Sequence, residues 1–141
     1  MIDITNKPTV QRAAKSVGSI RLRKETVELI KAKGVEKGDV FEAAKIAAIM
    51  AVKKTPEAIP YCHPIPVTFV GVEFEVLDNS VSVEVEVKSS SQTGVEMEAL
   101  CGVSAALLTI WDMVKRYEKD ARGQYPDTRI ENIRVLEKAK G

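Results

Sequence analysis

Between residues 70 and 88 the chain alternates apolar and polar side chains twice, on either side of a short turn. Val70, Val72, Phe74 and Val76 are interleaved with Gly71, Glu73 and Glu75, and Val81, Val83, Val85 and Val87 with Ser82, Glu84, Glu86 and Lys88. A period of two sends successive side chains to opposite faces of a strand, so each segment has one apolar and one charged face. Leu77-Asp78-Asn79-Ser80 has turn chemistry, and the two segments read as an antiparallel hairpin with one wet face. The longest helical pattern follows directly: Val95, Leu100, Val103, Ala106, Leu107, Ile110, Val114 and Tyr117 keep the helical period from Gly94 to about Lys119. On that helix Gly102, Ser104, Ala105 and Ala106 are small enough to let a sheet or another helix approach closely.

The remaining signals are shorter. Ser19-Ile20-Arg21-Leu22-Arg23 alternates as a short half-buried strand, whereas Lys7 to Ser16 is mixed and polar and reads as a short helix or an arm. Val27, Leu29, Ile30 and Ala32 predict a helix from Glu25, stopped by Lys33-Gly34. Asp39 is an N-cap for a second helix carrying Val40, Ala43, Ala44, Ile46, Ala47 and Met50, which ends at Lys53-Lys54 before Pro56. Ser89 to Thr93 reads as a polar loop, Gly123 to Asp127 as a turn, and Ile130, Ile133, Val135 and Leu136 as a last strand. The order strand, helix, helix, hairpin, long helix, strand predicts one α+β domain over residues 1–141, an antiparallel sheet with helices on one face and the other face free for a partner chain.

Composition narrows the function classes. Lys+Arg 21 against Asp+Glu 20 gives a net charge of +1, so no global field draws the chain to nucleic acid or membrane, and any anion must be held by a local group of cations. Two distant cysteines supply no disulfide framework. Met1 to Thr5 lacks a basic region leading into an apolar run, and no unbroken apolar stretch has membrane-spanning length; the expectation is a cytoplasmic protein.

The one histidine, His63, lies beside Cys62 in Pro60-Tyr61-Cys62-His63-Pro64-Ile65-Pro66, where three prolines exclude helix and central strand. Neighbours in extended backbone point apart, which argues against a Cys62–His63 nucleophilic dyad. Cys62, His63 and Cys101 are too few for a structural zinc. Two readings stay open: a structural Cys–His turn, or a stiff loop presenting an imidazole to a ligand. Lys37-Gly38-Asp39 is either an anion-receiving helix start or a plain cap. Asp112 and Lys115, at i and i+3 after the apolar run Leu107 to Trp111, are either a solvated ion pair or an acid–base pair. Glu98 and Asp112 are fourteen positions apart. On a helix that places them within about 40° of one face but about 21 Å apart along the axis. If both are functional, either they belong to different copies of a site or a second subunit completes it, and a site shared between chains is the expectation.

Taken in order, Met1-Ile2-Asp3-Ile4, Lys37-Gly38-Asp39-Val40-Phe41, Ile59-Pro60-Tyr61-Cys62-His63-Pro64, Thr93-Gly94-Val95-Glu96-Met97-Glu98-Ala99-Leu100 and Leu108-Thr109-Ile110-Trp111-Asp112-Met113-Val114-Lys115 resemble the molybdenum cofactor biosynthesis protein C family, the cyclic pyranopterin monophosphate synthases. The resemblance implies a ferredoxin-like subunit assembled as a homohexamer, a trimer of dimers, with sites at subunit interfaces. It implies a lyase that rearranges a cyclised dihydro-GTP, made by an upstream radical enzyme, into a cyclic pterin monophosphate with loss of pyrophosphate. It assigns catalysis to Asp112 and Lys115. Substrate binding falls to Tyr61, Cys62, His63, Met97 and Glu98, with Lys37 and Arg12 as cationic contacts. It firmly implies no resident cofactor and assigns no metal ligands, leaving Mg²⁺ as a companion of the triphosphate or pyrophosphate; the net charge of +1 is what argues against nucleic acid and membrane as partners. Lys119 is a further cation within reach of the same helix end. Two departures stand out: the end Glu137-Lys138-Ala139-Lys140-Gly141 lacks the family's glycine- and lysine-containing tail, and Tyr61 replaces a common leucine. Two rivals are a silent assembly module, which would be expected to have lost part of this residue set, and an RNA-binding sheet. The second fits poorly with 5% aromatics and a face carrying Glu73, Glu75, Glu84 and Glu86.

Overall fold

A computed structural model describes residues 1–141. Along the chain run β1 (Val10–Arg21), α1 (Lys24–Lys31), α2 (Val40–Lys53), the single turn α3 (Thr55–Ala58), β2 (Val67–Val76), β3 (Ser80–Ser91), α4 (Glu96–Glu118) and β4 (Arg129–Lys140). The four strands pair antiparallel in the order β2-β3-β1-β4, a ferredoxin-like sheet with α2 and α4 packed against each other over one face.

The hairpin forms as its alternation predicts. Val81, Val83, Val85 and Val87 of β3 are fully buried and stand opposite Ile20, Gly18, Ser16 and Ala14 of β1. The opposite face is charged: the Lys15 ammonium lies 3.7 Å from Glu86 and 3.6 Å from Glu137.

The segment before Ser16 is neither a short helix nor an arm from Val10 onward; it is the first half of β1, and the strand ends at Arg21. The cause is the closeness of α4. A Cβ on Gly18 would sit 2.9 Å from the side chains of Val103 and Ile133 and 3.0 Å from Leu107. Gly18 therefore has to be small, and with Ala14 and Ser16, also buried and small, on the same face, this half of the strand shows little apolar alternation. A second correction concerns Ser89 to Ser91, which extend β3. Ser89 Oγ donates to the Pro66 carbonyl at 2.7 Å and Ser91 Oγ to the Thr93 carbonyl at 2.7 Å, so both buried hydroxyls are satisfied.

Gly102 serves α4 as Gly18 serves β1: an added Cβ would lie 2.9 Å from Val52 of α2 and 3.0 Å from Val85 of β3. Ser104 and Ala105 instead turn to the outer face of the helix layer, beside the exposed Leu108. At 23 residues, α4 is the one helix long and apolar enough to cross a membrane, but Ala99, Val103, Ala106, Leu107, Ile110 and Val114 on it belong to the buried core. Its last residue, Glu118, is buried and accepts from the Thr128 hydroxyl at 2.7 Å, from the Thr26 hydroxyl, and from the Arg23 backbone N–H at 3.1 Å. That carboxylate ties the end of α4 to the start of α1 and the approach to β4.

Candidate functional site at the two ends of the long helix

The predicted site residues collect in two groups, one at each end of α4. At the C-terminal end Asp112 holds two ammonium groups: Lys115 Nζ lies 3.1 Å from Oδ1 and Lys37 Nζ 3.2 Å from Oδ2. The first contact follows from the helical i, i+3 spacing. The second crosses 75 positions of sequence and depends on the loop between α1 and α2. There Gly38 adopts φ 118°, a left-handed conformation that favours glycine, and Asp39 Oδ1 caps α2 by accepting the Glu42 N–H at 3.1 Å. Lys37 also donates to the Asp112 carbonyl at 2.8 Å, so its charge is directed to α4.

The Lys115 hydrogen bond, then that of Lys37, holds the Asp112 carboxyl below the usual carboxylate range. Two cations on one anion leave a net positive charge on an open surface, which suits a polyanionic ligand. Next to it a cavity of about 350 Å³ is walled by Leu108, Trp111, Tyr125 and Ile130, with the Trp111 and Tyr125 rings edge to face at 5.2 Å. Sequence reasoning did not assign these two aromatics to the site. The available signal was the position of the only tryptophan, immediately before Asp112. Lys119, exposed just past the helix, enters no ion pair.

At the N-terminal end Glu98 is 2% exposed, accepts from Cys62 Sγ at 3.5 Å through Oε2, and leaves Oε1 buried without a partner. Burial pushes the Glu98 carboxyl up. Burial, then the neighbouring Glu98, pushes the Cys62 thiol up to about 11. Cys62 is thus a protonated donor near neutral pH, consistent with the argument against a nucleophilic dyad. Tyr61, Cys62, His63 and Met97 line one cavity of about 740 Å³ together with Thr93, Gly94 and Glu96. Arg12 belongs to this end. It projects from the start of β1, donates to the Gln92 carbonyl at 3.4 Å, and keeps its Nε buried and unpartnered. Burial favours a neutral Glu96, but Lys138, at 3.0 Å, and Arg12 outweigh it and keep that carboxyl below its usual range.

The buried Glu98 makes a testable statement about stability. Its proton is held more tightly in the folded than in the unfolded chain, so stability falls as pH rises through a window that starts near the ordinary value of 4.5. The cost persists at neutral pH. Glu98→Gln is expected to raise Tm at pH ~7 and to lose that advantage below pH ~4.5 in thermal scans. An equal shift at both pH values would mean that the amide acts through packing alone.

The two groups do not meet within one protomer, because α4 separates Glu98 from Asp112 by about 21 Å. A largely apolar groove along the outer face of α4, about 600 Å³ and lined by Ile59, Met97, Leu100, Ala105 and Leu108, runs between them. Within the protomer no group of three or more His, Cys, Asp or Glu side chains is placed to hold a metal ion. A separate cavity of about 370 Å³ between α1, α2 and β2 contains none of the predicted site residues.

Fold and site together define an α+β subunit of ferredoxin-like topology, with a carboxylate-bridged lysine pair and a buried Cys–Glu contact at opposite ends of one helix. The chain belongs to the MoaC family, whose model matches residues 1–141. It is 58% identical over its whole length, and over 90% of the relative's, to a probable cyclic pyranopterin monophosphate synthase of Methanosarcina mazei. A protein of the same name from Thermococcus kodakarensis is 60% identical over the same shares of the two chains. A relative from Methanothermobacter thermautotrophicus, named a probable cyclic pyranopterin monophosphate synthase accessory protein, is 56% identical over 99% of this chain and 88% of its own.

Proposed function

We propose that this chain is a lyase of molybdenum cofactor biosynthesis that converts 3',8-cyclo-7,8-dihydroguanosine 5'-triphosphate to cyclic pyranopterin monophosphate and pyrophosphate. The observation that carries the reading is the bridging of Lys37 and Lys115 by Asp112, in a chain matched along its whole length by proteins named for this synthase.

The chemistry asks for two things. Opening the imidazole ring of the purine and closing a pyrazine requires several proton transfers, and a carboxylate-coupled lysine is a suitable acid–base group. Closing the cyclic phosphate requires attack by a ribose-derived oxygen on the innermost phosphorus while pyrophosphate departs, and an ammonium stabilises the charge that develops. In this reading Lys115 is the chief acid–base group, Asp112 is its electrostatic partner, and Lys37 with Arg12 binds the phosphates. Tyr61, Cys62, His63, Met97 and Glu98 hold the base and sugar. Mg²⁺, where it takes part, travels with the triphosphate or the pyrophosphate.

The separation along α4 supports a site shared between copies, in which the Lys115 end of one protomer meets the His63 end of another. A homohexamer built as a trimer of dimers, acting in the cytoplasm after a radical enzyme that supplies the substrate, is the assembly this reading adopts. The relative named as an accessory protein favours one alternative, a subunit that binds without turning over. Incubation with the purified cyclised intermediate separates the two. Release of pyrophosphate together with a pterin product is the expected result; folded protein yielding neither would overturn the synthase reading.

A further inference from the structure

We propose that Tyr117 is a positioning residue that presents Lys37 to the site, acting through the backbone of Glu36. The proposal rests on the reading of Lys37 as a phosphate-binding cation.

Lys37 lies in the connection from α1 to α2, where Lys33, Gly34, Glu36, Lys37, Gly38 and Asp39 are all exposed and Val35 alone is buried. A connection with so few buried contacts has little local stability of its own. The Gly38 N–H closes a local turn on the Val35 carbonyl at 3.1 Å, and the tie from the backbone of this connection to α4 is the peptide before Lys37: the Glu36 N–H donates to Tyr117 Oη at 2.9 Å. Tyr117 is a firm anchor. Its ring packs against the core, the Arg116 guanidinium lies 5.6 Å from the ring centre, and its carbonyl accepts from Arg23 Nη1 at 3.0 Å. The adjacent Glu118 carboxylate fixes this end of α4. Tyr117 is two positions beyond Lys115 and five beyond Asp112, so one helix end carries the acid–base pair and the post that holds the second lysine against it. The Glu36 side chain also pairs with Arg116, but exposed ion pairs contribute little. The hydroxyl-to-amide bond is the contact that joins the loop backbone to α4, beside the two bonds that the Lys37 ammonium makes to Asp112.

Tyr117→Phe removes the hydroxyl and keeps the ring. Expected are a rise in KM of about fivefold with kcat within about twofold of the parent, and an almost unchanged Tm. A purely structural role would lower Tm and move kcat as well. In a Lys37→Met background the same substitution is expected to change KM no further, because the cation it positions is gone. Glu36→Ala keeps the backbone N–H and is expected to leave KM near the parent value. Hydrogen exchange provides a readout without activity: the Glu36 amide is expected to be protected in the parent protein and to exchange at least about tenfold faster in Tyr117→Phe, with α4 amides unaffected. An unprotected Glu36 amide in the parent protein, an unchanged KM in Tyr117→Phe, or an equal further rise in the Lys37→Met background would each overturn the proposal. A normal KM for Lys37→Met alone would remove the reading of Lys37 on which it stands.

Discussion

Replacing Lys115 with alanine is expected to slow single-turnover pyrophosphate release by about 10²–10⁴-fold, the range associated with loss of a general acid–base group. Fold should survive the change. Lys115 is half exposed, and Asp112 keeps Lys37 as its partner at 3.2 Å, so no charge is left buried and alone. Asp112→Asn tests the other half of the pair: it leaves both ammonium groups in place but removes the anion that joins them, and should reduce turnover less than loss of the lysine. A Lys115→Ala rate within about threefold of the parent would displace the lysine from the chemistry, leaving it as one more phosphate contact.

The second large effect is one of rescue. If the Lys115 end and the His63 end of a site come from different copies, Lys115→Ala and His63→Ala chains are each inactive alone but complementary when mixed. After dissociation and reassembly of equal amounts, random pairing leaves about one site in four with both parental groups, so activity should return to about a quarter of the parent value. Mixtures that stay as inactive as their components, despite verified exchange of subunits, would place both groups of each site on a single chain. That result would conflict with the length of α4, which keeps the two ends about 21 Å apart in any one copy.

What could be read from the sequence depended on where large apolar residues were free to appear. The β2–β3 hairpin was legible because its valines face the helices and its glutamates face water. The first half of β1 was not, because Ala14, Ser16 and Gly18, the last of them pressed by α4, occupy its inward positions, and small residues carry almost no pattern. Asp112 and Lys115 could be paired by helical arithmetic alone. The approach of Lys37 to them could not, since it depends on how a flexible-looking connection folds back across 75 positions. The resemblance named Lys37, Cys62 and Glu98 as site residues, but it did not reveal that Cys62 donates to a carboxylate buried beneath it. The Trp111–Tyr125 wall and the Tyr117 tie to Glu36 were hidden for the same reason: one partner in each contact comes from a loop with no periodicity to read.

The rod-like α4 sets a spacing that no side-chain rearrangement can shorten. In a shared site, ligand binding and self-association are then linked by mass action: whatever bridges the two half-sites also clamps the copies together, and dilution that separates them abolishes both halves at once. Enzyme concentration would govern specific activity, and a saturating triphosphate would protect the assembly from falling apart.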